Sequence, residues 1–176
     1  RFLLETRKRQ SITRLKLMEL KKNNDIDVQR MASVIDFIIY DNRWSKEEKI
    51  ILKEVDKIEK KYLSSTETIK IIDFGAGLGN TERSQKEQEK GVESVAKISD
   101  LHKIASSKKM WGKLMFKIIR EFKPTNCLEL GTNLGISASY QILGLKLNGS
   151  GRLTTIEGSK EQAKIARTLN IKKIQL

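Results

Sequence analysis

The sequence predicts an α/β chain: a helical N-terminal extension followed by a partial parallel sheet of about three strands. Two observations predict it. Apolar residues in positions 28–62 recur at three- and four-residue intervals, the spacing of one helix face. After Trp111, helix, strand, helix, strand, helix and strand alternate at the lengths of parallel βαβ units.

The elements follow in order. Residues 1–22 form a basic, weakly amphipathic helical stretch, ended by a polar break over 22–27. Met31, Val34, Ile35, Ile38 and Ile39 fall at helical spacing within 28–40. Ser45 opens the next helix. With Glu48 it forms a capping box, in which hydroxyl and carboxylate each satisfy an orphan backbone N–H. Ile51, Val55, Ile58 and Tyr62 continue that helix, with charges between them facing water. A polar linker, 64–68, leads to a short buried strand over 69–74 and then to Gly75, Gly77 and Gly79. Residues 81–90 are polar and read as a loop, and 92–105 read as a helix. Trp111, Leu114, Met115, Ile118, Ile119 and Phe122 share one helical face, and Pro124 ends that helix. A short apolar strand, 127–130, precedes a glycine turn from Gly131 to Gly135. Ile136, Tyr140, Leu143 and Leu147 mark the following helix, and residues 148–151 are a turn signal. A second strand, 153–156, ends in Glu157. Ser159 with Gln162 caps a helix through Leu169, and 171–176 begin a third strand. Three segments result: a helical extension over 1–65, a strand, glycine turn, polar loop and helix over 66–105, and a βαβ half over 106–176.

Composition bounds the function. With 176 residues, 38% of them hydrophobic, the chain holds one domain with a real core, or one domain and an appendage. Only 6% are aromatic, so Ile, Leu and Val build the core. No apolar run approaches the roughly 20 residues of a membrane span. Residues 1–4 lead into charge, so no signal peptide is expected, and the first residue is Arg, so the true start is expected upstream. The single cysteine, Cys127, excludes an internal disulfide and fits a reducing, cytoplasmic setting. One Cys and one His are too few for a Cys/His zinc site, and no metal site is expected. The net charge of +13 would attract nucleic acid. The basic residues are scattered, however, without interleaved aromatics on one helix face, and a solvated Lys-rich surface is the favoured reading.

Two glycine turns compete as a nucleotide loop. Asp73-Phe-Gly75-Ala-Gly77-Leu-Gly79 has the commoner pattern, but a dozen polar, aperiodic residues follow it. A nucleotide loop must feed a helix whose N-terminal N–H groups face the ligand. Glu129-Leu-Gly131-Thr132-Asn133-Leu-Gly135 meets that condition. Gly131 lets the backbone approach a ligand, and Gly135 lets the next helix pack close. A second strand ends at Glu157, where doubly wound, Rossmann-like folds place an acid on the ribose hydroxyls. The sheet is accordingly expected to be Rossmann-like. A dinucleotide fingerprint would need G-x-G-x-x-G, and the middle glycine is replaced here. S-adenosylmethionine has no phosphate. Its ammonium and carboxylate need an acid, a role for Glu129, and backbone N–H groups. An ordinary glycine turn in an α/β domain is the plainer alternative.

Residues 104–176 resemble the catechol O-methyltransferase-like branch of class I S-adenosylmethionine-dependent methyltransferases. The stretches SSKKMWGKLMFKIIREFKPTNCLELGTNLGISASYQI and GRLTTIEGS carry the resemblance. It implies that Glu129, Gly131, Thr132, Asn133 and Gly135 line the cofactor loop and that Ser137 caps the methionine carboxylate. It further implies that Glu157 holds the ribose, with Gly158 and Ser159 beside the adenine, and that residues 106–112 close over the methionine end. The IIDFGAG stretch is similar to the N-terminal region of a group of uncharacterised bacterial methyltransferases in that branch, and places residues 73–79 outside the main cofactor loop. The family continues past its third strand. The sequence is therefore expected to be a fragment or a truncated form lacking the C-terminal half, with three of seven strands, and not to transfer methyl alone.

The expected function is O-methyl transfer to a small-molecule acceptor. One alternative is an RNA-binding protein or RNA methyltransferase. Another is a non-catalytic interaction protein whose N-terminal helices form a homo-oligomer around a relic Rossmann half. No catalytic base is assigned. His102 reads as a surface or packing residue, and Asp73 as a brace for the first glycine turn. Met110 and Trp111 read as core packing, and Cys127 as a small core residue.

Overall fold

The computed structural model describes residues 12–73, 84–169 and 174–175. Helix α1 covers 12–20 and α2 Ile26–Asp36, continued by a π-turn, Phe37–Asp41. Then come α3 (Lys46–Leu63), β1 (Thr68–Asp73), α4 (Gln85–Lys90), β2 (Val92–Lys97), α5 (Ile98–Ala105) and α6 (Lys109–Phe122). The chain continues through β3 (Asn126–Leu130), α7 (Ile136–Asn148), β4 (Arg152–Ile156), α8 (Lys160–Thr168) and β5 (Ile174–Gln175). The fold is mixed α/β with two small sheets. In one, β1 and β2 pair antiparallel; in the other, β3 and β4 pair parallel over five residues, and β5 adds two parallel partners on the far edge of β4.

Local chemistry sets the boundaries. The Asp25 carboxylate accepts from Asp27 N–H at 2.8 Å and starts α2. The predicted capping box starts α3: Ser45 Oγ accepts from Glu48 N–H at 3.1 Å, and Glu48 Oε2 accepts from Ser45 N–H at 3.0 Å. Pro124 bars the residue before it from the helical region. Lys123 accordingly turns left-handed (φ 48°), and its N–H closes α6 onto the Ile119 carbonyl.

Several expectations are corrected. Residues 92–105 are not one helix: Val92–Lys97 is a strand, and only Ile98–Ala105 is helical. Within 81–90, Gln85–Lys90 is a short helix rather than loop. The first strand is buried on one face only, with Ile69 and Ile71 inward and Ile72 exposed. Met110 and Trp111 are not core residues; both are more than half exposed. The buried face of α6 runs instead through Gly112, Phe116 and Ile119. Residues 1–11, the glycine turn at 75–79 and residues 170–173 lie outside the described residues.

One core cluster joins the N-terminal helices to the rest. Trp44, Leu52, Val55 and Tyr62 pack with Ile69, Ile71, Ile98 and Leu101, and with Phe116, Leu134, Ile136 and Tyr140. A second cluster, Ile119, Ala138, Ile142, Leu145 and Leu153 with Cys127 against it, lies between α6, α7 and one face of the parallel sheet. Among the described residues nothing covers the other face: Leu128, Leu130 and Ile156 are 66%, 75% and 54% exposed. Strand order explains this. Successive right-handed crossovers moving one way across a sheet put their helices on the same side.

Helices α6 and α7 interlock reciprocally. A Cβ added to Gly112 on α6 would clash with the ring of Tyr140 on α7 at 2.2 Å, and one added to Gly144 on α7 would meet the Ile119 side chain of α6 at 2.8 Å. At the far end Asn148 accepts from Arg120 and donates to the Ile119 carbonyl, at 2.6 and 2.7 Å. Among the described residues no helix is long and apolar enough to cross a membrane.

Candidate functional site

The parallel register sets Glu129 beside Thr155 and Leu130 beside Ile156, so both strands end together. The turn after β3 then folds over the end of β4. The N–H groups of Gly131 and Thr132 donate to the Ile156 carbonyl at 2.9 and 3.2 Å. Gly131 (φ 89°) and Gly135 (φ 81°) take left-handed conformations that favour glycine, and Asn133 (φ 50°) tolerates one. The two glycines differ in surroundings. A Cβ on Gly131 would meet nothing within 4 Å, whereas one on Gly135 would press on Leu169 at 2.7 Å and Ala166 at 3.2 Å. Gly135 therefore lets α8, rather than α7, approach the turn.

Glu157 closes the other side. Its Oε2 accepts from Asn133 N–H at 2.6 Å and its Oε1 from Ser159 N–H at 2.9 Å. Gln162 Nε2 donates to Asn133 Oδ1 at 2.8 Å. The glycine turn and the β4–α8 turn are thus tied together through Glu157 and Asn133. A carboxylate offers about four lone-pair positions, so with two filled, Glu157 keeps roughly one free on each oxygen.

Glu129 sits beneath the turn. Its Oε1 accepts from Gln141 Nε2 at 2.8 Å and its Oε2 from the Thr155 hydroxyl at 2.7 Å. Thr132 Oγ1 lies 2.5 Å from Thr155 Oγ1. The Thr155 proton is used on Glu129, so Thr132 is the donor of that second bond. Thr132 is 1% exposed, and its side chain braces the turn from below. Ser137 stands half-buried at the second position of α7. Gly135, the N-cap of α7, offers no side chain, and among the described residues the N–H groups of Ile136, Ser137 and Ala138 have no acceptor. Gly158 is exposed with nothing within 4 Å of its Cβ position, and the Ser159 hydroxyl caps α8 by accepting from Gln162 N–H at 3.4 Å.

The structure thus brings all nine residues singled out from the sequence to one sheet edge. Sequence reasoning missed Thr155, Gln141 and Tyr62. The Tyr62 phenol reaches in from α3 and donates to the Leu134 carbonyl at 3.1 Å; burial pushes its pKa far above the usual phenol range. Alternation along β4 was the available signal for Thr155, which shares a face with Glu157. The register that sets it against Glu129 carried none.

The remaining candidates stand elsewhere. The His102 ring packs half-buried, 6.0 Å from the Tyr62 ring, and burial lowers its pKa. Cys127 faces the second core cluster, and burial raises its thiol pKa. Asp73 ends β1 opposite Val92, in the antiparallel hairpin rather than the parallel sheet. Among the described residues no cluster of three His, Cys, Asp or Glu side chains could hold a metal. A cavity of about 460 Å³ between the α3–β1 linker, α5 and α8 is lined by none of the nine residues. Comparison with protein-family models, with curated proteins and with solved structures gives no match.

Proposed function

We propose that this chain binds S-adenosylmethionine at the carboxyl edge of a Rossmann-like sheet and serves methyl transfer to a hydroxyl of a small molecule. The observation that carries the reading is the 2.6 Å hydrogen bond from Asn133 N–H to Glu157. It puts the acid that ends β4 against the glycine turn that ends β3, within reach of a single nucleoside.

The residues fit the cofactor by count as well as by place. The two free lone-pair positions of Glu157 match two ribose hydroxyl donors. Glu129 also keeps about two after Gln141 and Thr155, enough for an ammonium. The unused N–H groups of Ile136, Ser137 and Ala138 suit a carboxylate. Open space over Gly131 admits the ligand chain against bare backbone. Two carboxylates at one strand edge, on a chain of net charge +13, favour a cationic ligand and oppose a polyphosphate.

When bound, S-adenosylmethionine supplies an electrophilic methyl group on a sulfonium, displaced in line by the acceptor oxygen. The protein's share is to hold the cofactor's two ends and to keep the methyl group aligned with an acceptor. No general base is assigned to this chain.

Isothermal titration with S-adenosylhomocysteine tests the reading. Micromolar binding that falls at least tenfold in Glu157→Ala is expected; no heat at millimolar ligand would remove the proposal. The RNA alternative requires the opposite pattern: no response to S-adenosylhomocysteine, and RNA affinity that falls steeply with salt.

A further inference from the structure

We infer that the cavity between the α3–β1 linker, α5 and α8 is a second ligand site, one that takes a zwitterionic amino acid with an apolar side chain. The inference does not rest on the cofactor reading above, because none of the nine residues of that site lines this cavity.

The cavity measures about 460 Å³, within the range of small-molecule sites. Its lining divides by exposure. Tyr62 and Ile98, each 3% exposed, and half-buried Ile165 supply an apolar part. Lys61, Ser64, Glu67 and Thr168 line it too and are exposed. A matching ligand buries an apolar end and keeps its charges near water. The linker itself is pinned. The N–H groups of Ser64 and Ser65 donate to the Lys60 and Tyr62 carbonyls, each at 3.1 Å, and Ile98 N–H donates to the Glu67 carbonyl at 3.0 Å.

Hydrogen-bond accounting gives the polar lining two characters. The Ser64 hydroxyl gives its proton to the Lys60 and Lys61 carbonyls at 3.0 and 3.1 Å, and the Thr168 hydroxyl gives its proton to the Ile165 carbonyl at 2.7 Å. Both oxygens keep only the capacity to accept. With the Glu67 carboxylate they form an acceptor set for an ammonium group. Ser64 caps the C-terminus of α3 and Thr168 ends α8, so two helix ends of partial negative charge meet at this cavity. Ser65 has the opposite sense: its oxygen accepts from Glu67 N–H at 3.2 Å, and its proton remains to donate. With the Lys61 ammonium it forms a donor set for a carboxylate. Among the described residues neither Lys61 nor Glu67 has an ion-pair partner. One unpaired cation and one unpaired anion on a single cavity match a ligand that carries both charges. A singly charged ligand would leave one of them unanswered.

The test is isothermal titration of the full chain with three probes. They are L-leucine, whose branched side chain suits Ile98 and Ile165, 3-methylbutylamine, which lacks its carboxylate, and 4-methylpentanoate, which lacks its ammonium. Leucine is expected to bind with a submillimolar Kd, and each singly charged counterpart about tenfold more weakly. Glu67→Gln should weaken leucine and the amine about fivefold and leave the acid unchanged. Lys61→Gln should weaken leucine and the acid about fivefold and leave the amine unchanged. Both side chains are exposed, so neither variant is expected to disturb folding. Hydrogen exchange of wild-type residues 61–67 and 165–168 should slow on adding leucine, a readout that needs no variant. No heat with millimolar leucine, or equal affinity for all three probes, would overturn the inference. So would leucine binding that both variants retain in full, or that leaves the exchange of these residues unaltered.

Discussion

The Tyr62 phenol, near the end of α3, donates a 3.1 Å hydrogen bond to the carbonyl of Leu134, inside the glycine turn and 72 residues away. Both residues are buried, so this carbonyl has no water to turn to. Tyr62→Phe keeps the ring and removes the donor. The expected loss is about 1–2 kcal/mol in urea unfolding, the cost of a buried unsatisfied acceptor. A change below 0.5 kcal/mol, near the noise of surface substitutions, would show that α3 does not brace the turn.

The two glycines of the turn should separate stability from binding. Gly131→Ala meets only the left-handed backbone penalty, about 1 kcal/mol, since nothing lies near its Cβ. It should nevertheless abolish S-adenosylhomocysteine binding, because the open space it fills is the proposed ligand path. Gly135→Ala adds overpacking against Leu169 and Ala166 to the same penalty, about 2–4 kcal/mol in all. Equal destabilisation of the two variants in a thermal melt would contradict this packing.

Glu48 is 7% exposed and holds three tasks. It completes the α3 capping box and lies 3.6 Å from Lys117 Nζ and 3.7 Å from Arg120 Nε. Glu48→Ala should cost about 2 kcal/mol, one part from the cap and one from Lys117 and Arg120 losing their shared carboxylate. Glu48→Gln keeps an acceptor for Ser45 N–H and should lose less. Chemical denaturation of both variants ranks them, and equal losses would assign the whole effect to charge.

His102 sets a direction for pH dependence. Burial lowers its pKa below the ordinary 6.5, so the unfolded chain takes up this proton more readily than the folded one. Its contribution is level above that value and falls as pH drops below it. Melting temperatures from pH 8 to 5 should therefore decline on the acid side, and His102→Gln should flatten that part of the decline. An unchanged slope would mean that the ring is solvated.

The exposed sheet face makes a separate prediction. Leu128, Leu130 and Ile156 form an apolar patch beside the edge of β3 that no strand among the described residues pairs with, an arrangement that promotes self-association. Leu130→Lys should reduce concentration-dependent association in sedimentation velocity and shift stability by no more than about 0.5 kcal/mol. Unaltered association in this variant would place the contact surface elsewhere.

How far these features could be read beforehand depended on the range of the forces behind them. The order from α6 to α8 was legible because helical periodicity, Pro124 and the Ser159 cap act within a few residues. Gathering Glu129, the glycine turn and Glu157 at one edge needed only the parallel βαβ rule. Strand β2 was not legible: Val92, Val95, Ile98 and Leu101 recur every three residues as a helix would, and pairing with β1 decides otherwise. The phase of α6 was missed by one position because its inward point is Gly112, which has no hydrophobic side chain to announce it. Thr155 and Tyr62 reach the site through long-range contacts that local patterns do not encode.

The reciprocal seating of Tyr140 over Gly112 and Ile119 over Gly144 has a mechanical consequence. Each helix carries a notch filled by the other, so the pair is keyed, and sliding by one turn would drive a ring into a wall of side chains. The α7 N-terminus is therefore a fixed anvil, and any breathing that lets a molecule in or out must be carried by parts not locked into that joint.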